Sequence, residues 1–168
     1  MSFPPHAQAP PVPPSTADGF VLGPDEGEAF WWLGTLTINK IRGASTAGGF
    51  DVVEHRVAPG YAPPRHVHQG QDEIFYLVDG EFVIECGDQR WDAAPGSLAF
   101  LPRDVPHGFT VGDRPGRALL FNAPAGFADL VTDLGQPAPR LDLPAPDLPA
   151  PDPARVEQAS RARGIHPA

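Results

Sequence analysis

GYAPPRHVHQGQDEIFYLVDG, residues 60–80, decides how the rest of the chain is read. It holds two histidines one residue apart, His66 and His68, then Glu73 five positions on, with a glycine at each end. Alternate residues of an extended strand point to one face. His66 and His68 can therefore share an interior while Val67 turns away. The four residues Gln69, Gly70, Gln71 and Asp72 suit a tight reversal that brings Glu73 back beside the histidines on the neighbouring strand. Imidazole and carboxylate are donors that first-row divalent metals favour. A single strand histidine is more often a hydrogen-bonded or surface residue, so the pair needs a further ligand before it is a site.

Working outward, the chain reads as short strands. Downstream, the apolar run at 74–78, the turn pair Asp79-Gly80 and the return over 81–85 form a β-meander, followed by a turn at Gly87-Asp88. Further strands are predicted at 97–101, 108–111 and 118–121, with a proline-bounded turn at 102–106. Upstream, 35–41 (TLTINKI) and 50–58 (FDVVEHRVA) read as strands, and 20–22 as a short first one. A glycine-rich loop spans 42–49, and the cluster Phe30-Trp31-Trp32-Leu33 should be buried. Short strands punctuated by Gly and Pro indicate an all-β sandwich or barrel. The period changes only late. Phe127, Leu130, Val131 and Leu134 fall at i, i+3, i+4 and i+7, which predicts a helix over 125–134 with Gly135 as its C-cap. A second short helix is expected from Pro153 or Ala154 to about Arg163, with Asp152 as N-cap and Gly164 as its end.

The bulk properties set limits. At 168 residues the chain suits one domain with a real core. A net charge of −9 excludes a nucleic-acid binder that works through a basic face. No apolar run approaches the roughly 20 residues a membrane-spanning helix requires. The opening MSFPPHAQAPPVPPS has neither a basic start nor an apolar stretch, so no secretory signal is expected. Cys86 is the only cysteine and reads as a small buried strand residue, which fits a reducing compartment. A cytoplasmic location is the expectation. Six of the 23 prolines lie within 1–14 and seven within 137–153. The expected organisation is a flexible tail over 1–17, a barrel domain with a trailing helix over 18–135, and a proline-rich arm with a short helix over 136–168. The arm either extends freely or packs across the domain or a partner subunit.

His107, after the rigid turn Pro102-Arg103-Asp104-Val105-Pro106, is the further ligand. With it, Gly60-x5-His66-x-His68-x4-Glu73-x6-Gly80 resembles the first motif of the cupin superfamily at every fixed position. Gly96-x5-Pro102-x-Asp104-x2-His107 resembles the second motif, fifteen residues further on. Asp104 stands where the family usually has glycine, and aspartate tolerates the left-handed turn conformation. Val111 stands where an asparagine is often found, which is not a ligand position. The resemblance implies an all-β double-stranded β-helix, a jelly-roll barrel, with one or two short C-terminal helices after it. It also implies a divalent transition metal (Fe, Mn, Ni, Co or Zn) held by His66, His68, Glu73 and His107, and a homodimer formed through N-terminal strands.

The segment Ala123-Pro124-Ala125-Gly126-Phe127, leading to Asp133-Leu134-Gly135-Gln136-Pro137-Ala138, resembles single-cupin bacterial quercetin 2,3-dioxygenases. That resemblance implies a dioxygenase that takes a small, flavonol-like or otherwise enolic aromatic substrate and O₂, with Glu73 as both ligand and catalytic base. Two alternatives stay open: a cupin metalloenzyme without O₂ chemistry (cyclase, isomerase or lyase), and a non-enzymatic module that binds a metal or small ligand. The pocket should be apolar, with Phe75, Leu77, Phe100 and Phe109 as interior neighbours. His6 and His166 are assigned to tails. His55 reads as an ordinary strand residue, although strand phase leaves open a place in the pocket.

Overall fold

Alternation of buried and less buried side chains builds the walls of the molecule, which a computed structural model describes over residues 19–168. The tail expected over 1–17 lies outside the described residues. In chain order the strands are β1 (Glu28–Trp32), β2 (Thr35–Ile41), β3 (Asp51–Val57), β4 (His66–His68), β5 (Asp72–Asp79) and β6 (Phe82–Cys86). They continue with β7 (Gln89–Ala93), β8 (Leu98–Leu101), β9 (His107–Val111) and β10 (Gly116–Ala123). Helix α1 (Phe127–Leu134), β11 (Gln136–Pro137), α2 (Pro153–Arg161) and β12 (Ile165–Pro167) complete the chain. The strands form two antiparallel sheets, one ordered β11-β1-β2-β3-β10-β5-β8 and the other β12-β4-β9-β6-β7. This is the expected all-β jelly-roll barrel with two short helices after it. Its main core joins both sheets through residues such as Val53, Leu77, Ile84, Leu101 and Leu120.

Three expectations about the strands are corrected. Residues 20–22 form no strand; Val21 is 93% exposed, since no neighbouring strand or face is there to bury it. The meander across Asp79-Gly80 does not exist, because β5 belongs to the larger sheet and β6 to the smaller. Gly80 is the corner at which the chain changes sheet. It has a φ of +79°, and a Cβ there would lie 2.6 Å from the Pro115 carbonyl oxygen, so only glycine fits. The reversal at 69–72 likewise crosses between sheets and does not close a hairpin. By contrast, the turn at Gly87-Asp88 does close a hairpin, with Cys86 opposite Gln89. Cys86 is buried, as expected.

The helices are placed by specific side chains. Gly126 at the N-terminus of α1 has no side chain to cap it. The buried Asp51 of β3 substitutes, accepting hydrogen bonds from the backbone N–H groups of Gly126 (2.7 Å) and Ala128 (3.1 Å). Gly135 follows α1 in extended rather than left-handed conformation. Its role is close approach, since a Cβ would meet the Val131 carbonyl oxygen at 2.6 Å. Asp152 caps α2 by accepting from the Ala154 N–H at 3.0 Å, with Pro153 in the first turn.

The arm packs across the domain. Gln136 and Pro137 pair with Trp31 and Phe30 of β1, and the Trp31 indole N–H donates to the Asp142 carbonyl at 2.8 Å. Beyond α2, β12 adds to the edge of β4, with Ile165 opposite His68 and Pro167 opposite His66. A second apolar cluster joins Phe30 and Trp32 of β1 to Leu130 and Val131 of α1, with Val156 and Ile165 packed on it. The C-terminal segment is thus tied to the strand that carries the histidine pair, and His166 lies in a strand and not in a tail. No helix among the described residues is long and apolar enough to cross a membrane.

Candidate metal centre

The register of β4 and β9 sets His66 directly opposite His107, and His68 follows on the same face. Glu73 comes from β5 in the facing sheet, where it pairs with Leu101 and Asn122. Three imidazoles on one wall therefore meet one carboxylate from the other. Ring centroids lie 4.8 Å apart for His66 and His107, 5.0 Å for His66 and His68, and 5.1 Å for His68 and His107. One potential ligand atom from each of the four residues lies within 4.8 Å of all the others, so the group could hold a metal ion. His68, Glu73 and His107 are buried and His66 is half-buried.

Outer partners fix which ring nitrogen faces inward. His66 Nδ1 lies 3.0 Å from the Pro64 carbonyl oxygen and His107 Nδ1 lies 2.9 Å from that of Val105. A carbonyl only accepts, so both Nδ1 atoms carry the proton and both Nε2 atoms are left bare. Gln71 does the same for His68. Its Nε2 donates to the Pro124 carbonyl (2.7 Å), which turns its Oε1 toward His68 Nδ1 at 2.6 Å. All three neutral rings then present an Nε2 lone pair to the centre, the arrangement that metal-ligating histidines require.

Glu73 Oε2 and His107 Nε2 lie 3.3 Å apart, are buried, and have no hydrogen-bond partner. Buried polar atoms are normally paired, and a divalent cation satisfies both at once, so the donor set fits a metal. Burial by itself pushes the Glu73 carboxyl up. Without a metal, protons taken up by the rings change this: a hydrogen bond from His107 and the positive charge of His68 and His66 outweigh burial and hold the group at about 2. Burial pushes the His66 imidazolium down, which favours the neutral, ligating form.

The two halves of the site are clamped together by residues whose role sequence reasoning missed. Arg103 grips Asp72 with its guanidinium at 3.0 and 2.7 Å and donates its backbone N–H at 2.9 Å. Asp104 has a φ of +65°, the left-handed conformation expected of it. It accepts from the Gly70 N–H (3.1 Å) and donates its own N–H to the His68 carbonyl (2.9 Å). The turn that aims His107 is thereby locked to the loop between His68 and Glu73. Gln71 belongs to the same support. Gln71→Ala should weaken metal binding by about 10- to 100-fold, read by competition against a chromophoric chelator.

The centre opens on a cavity of about 550 Å³ with mostly apolar walls. Phe75 and Phe109 line it as expected, while Leu77 is buried in the core behind it. Phe100 is a correction: it is 56% exposed on the outside of the barrel. Leu101 is the residue opposite Glu73, so its neighbour Phe100 must point outward. Residues of the C-terminal segment, among them Pro151, Val156 and Ile165, also line the cavity.

His55 of β3 also lines the cavity, buried edge-on to Phe127 at 6.1 Å. Burial pushes its imidazolium down to about 4, against a smaller upward pull from Glu73. The folded protein thus keeps His55 neutral where the unfolded chain, at 6.5, takes up a proton. The resulting stability is complete above pH 6.5 and is lost as pH falls toward 4. It is worth about 3 kcal/mol. Subtracting the stability–pH curve of chelator-treated His55→Leu from that of the native chain should leave a step of about that size over this window.

Residues 53–122 match the family model of the cupin domain. Quercetin 2,3-dioxygenase of Bacillus subtilis (strain 168) is 25% identical over 118 residues, 70% of this chain and 35% of that protein. Quercetin 2,3-dioxygenase of Aspergillus japonicus is 29% identical over 135 residues, 77% of this chain and 33% of that protein. The chain spans about a third of the length of these curated relatives. Among solved structures, KdgF from Halomonas sp. matches with a TM-score of 0.59 at 17% identity, covering 67% of this chain and 99% of that one. That likeness concerns the fold alone.

Proposed function

We propose, from the match of residues 53–122 to the cupin-domain model, that this chain is a cupin and a metal-dependent dioxygenase acting on a flavonol-like or other enolic aromatic substrate. The observation that carries the reading is the apolar cavity of about 550 Å³ opening on the buried three-histidine, one-glutamate centre. The similarity to quercetin 2,3-dioxygenases supports it. A divalent transition metal (Fe, Mn, Ni, Co or Zn) bound by His66, His68, Glu73 and His107 would supply Lewis-acid and redox chemistry at open coordination positions.

The chain's own residues supply the rest. Phe75, Phe109, Tyr61 and Phe127 offer flat faces to an aromatic ring. Burial pushes the Tyr61 hydroxyl up to about 12, so it stays a neutral phenol. Glu73, ionised at working pH, offers its carboxylate as acceptor for the proton of an enolic hydroxyl placed beside it. Pro151, Val156 and Ile165 of the C-terminal segment add apolar wall to the cavity. The same reading takes the protein to be a cytoplasmic homodimer, which sedimentation would test.

The test is incubation of the metal-loaded protein with quercetin and related flavonols, with and without oxygen. Loss of the flavonol absorbance with equimolar O₂ uptake is the expected result. No loss with any of the five metals overturns the flavonol reading. Substrate loss without oxygen would instead assign a cyclase, isomerase or lyase.

A further inference from the structure

His55 has a polar atom that the fold leaves unsatisfied. Its ring is buried, its Nδ1 has no hydrogen-bond partner, and it lines the same cavity as Glu73. Buried histidines with a purely structural role are normally satisfied at both nitrogens. The other nitrogen, Nε2, lies 3.4 Å from the Thr35 hydroxyl. That hydroxyl has a single proton, which is donated to the Trp32 carbonyl oxygen at 2.6 Å. Thr35 can therefore only accept from His55, and the one proton of the neutral ring sits on Nε2. Nδ1 is left as a bare acceptor. Phe127 packs edge-on against the ring, and no polar atom of the described residues meets Nδ1.

We propose that His55 is a specificity-determining residue: its Nδ1 accepts a hydrogen bond from a hydroxyl of the aromatic ligand, separate from the enolic oxygen directed to the metal centre. The inference rests on the reading of the cavity as the substrate site. It narrows the substrate class to aromatics with at least one hydroxyl beyond the enol. An acceptor held neutral in an apolar wall rewards a donor and rejects a ligand that leaves it unpaired. The role requires no change of protonation at His55.

The test is anaerobic binding to the metal-loaded protein, followed through quenching of tryptophan fluorescence, since Trp32 lines the cavity. The probes are 3-hydroxyflavone, which has only the enolic hydroxyl, and galangin, kaempferol and quercetin, which have more. The native protein should prefer at least one of the more hydroxylated flavonols by roughly 10- to 100-fold. His55→Leu should lose that preference while still binding 3-hydroxyflavone. His55→Gln, which restores a carbonyl acceptor, should recover part of it. Retention of the full preference by His55→Leu overturns the proposal and leaves the flavonol reading standing. If no flavonol binds the native protein, the flavonol reading falls and the proposal falls with it. Nitrogen-15 NMR of the native imidazoles gives a check free of any variant, since a proton found on Nδ1 of His55 overturns the assignment.

Discussion

Replacing His107 with alanine is expected to abolish the part of the protein's stability that depends on metal. A metal bound only by the folded chain stabilises it by about 4 kcal/mol when present at about 1,000 times its Kd. For a domain of this size that corresponds to roughly 8–16 °C in Tm. The native protein should show a rise of this order on adding metal to chelator-treated samples, and His107→Ala should show almost none. His107 contributes one of the three inward Nε2 atoms, the one that stands 3.3 Å from Glu73 Oε2. Its removal leaves the carboxylate facing an empty corner. Comparing each protein with and without metal cancels the cost of the cavity that alanine creates. His66→Ala should behave in the same way. An undiminished metal-dependent shift in either variant would remove these histidines from the ligand set.

Glu73→Gln should separate binding from turnover. The amide has the size and shape of the carboxylate, and the three imidazoles keep their outer partners at Pro64, Gln71 and Val105. What is lost is the negative charge and the ability to take a proton. Some metal should remain, more weakly held, while turnover falls by about 100-fold or more, the usual contribution of a positioned general base. Metal content and rate must be measured on the same preparation, because a drop that merely follows metal loss would make Glu73 a ligand only. Full turnover in Glu73→Gln would show that the enolic proton leaves by another route.

Much of the site was legible because it is written in local spacing. The HxH pair on β4 follows from the two-residue period of a strand, and its four potential ligands are all named by the two motifs. The late change of period located α1, and Asp152 with Pro153 marked the start of α2, which ends at Arg161, short of Gly164. What was misread depended on which partner a strand finds. Asp79-Gly80 has the composition of a hairpin turn, yet the same glycine serves a corner between sheets, and no local signal separates the two uses. Phe100 looked like an interior residue until the register of β8 against β5 fixed its phase. β12 is three residues long and ends in proline, too short for any periodic signal. Nothing in the sequence indicated that it pairs beside the histidines.

The sequence by itself determined the chemistry of the candidate centre and the class of fold, because donor type, donor spacing and turn residues are properties of short segments. Only the tertiary structure decided that Glu73 reaches the histidines from the opposite sheet, that Gln71, Arg103 and Asp104 hold the ligand loops together, and that the C-terminal segment lines the cavity. It also turned His55 from an ordinary strand residue into a wall of the cavity with a free acceptor. The physical reason is common to all four. Each depends on pairing or packing between segments far apart in the chain, and the free energy of such contacts is set by the whole barrel and not by the residues nearby.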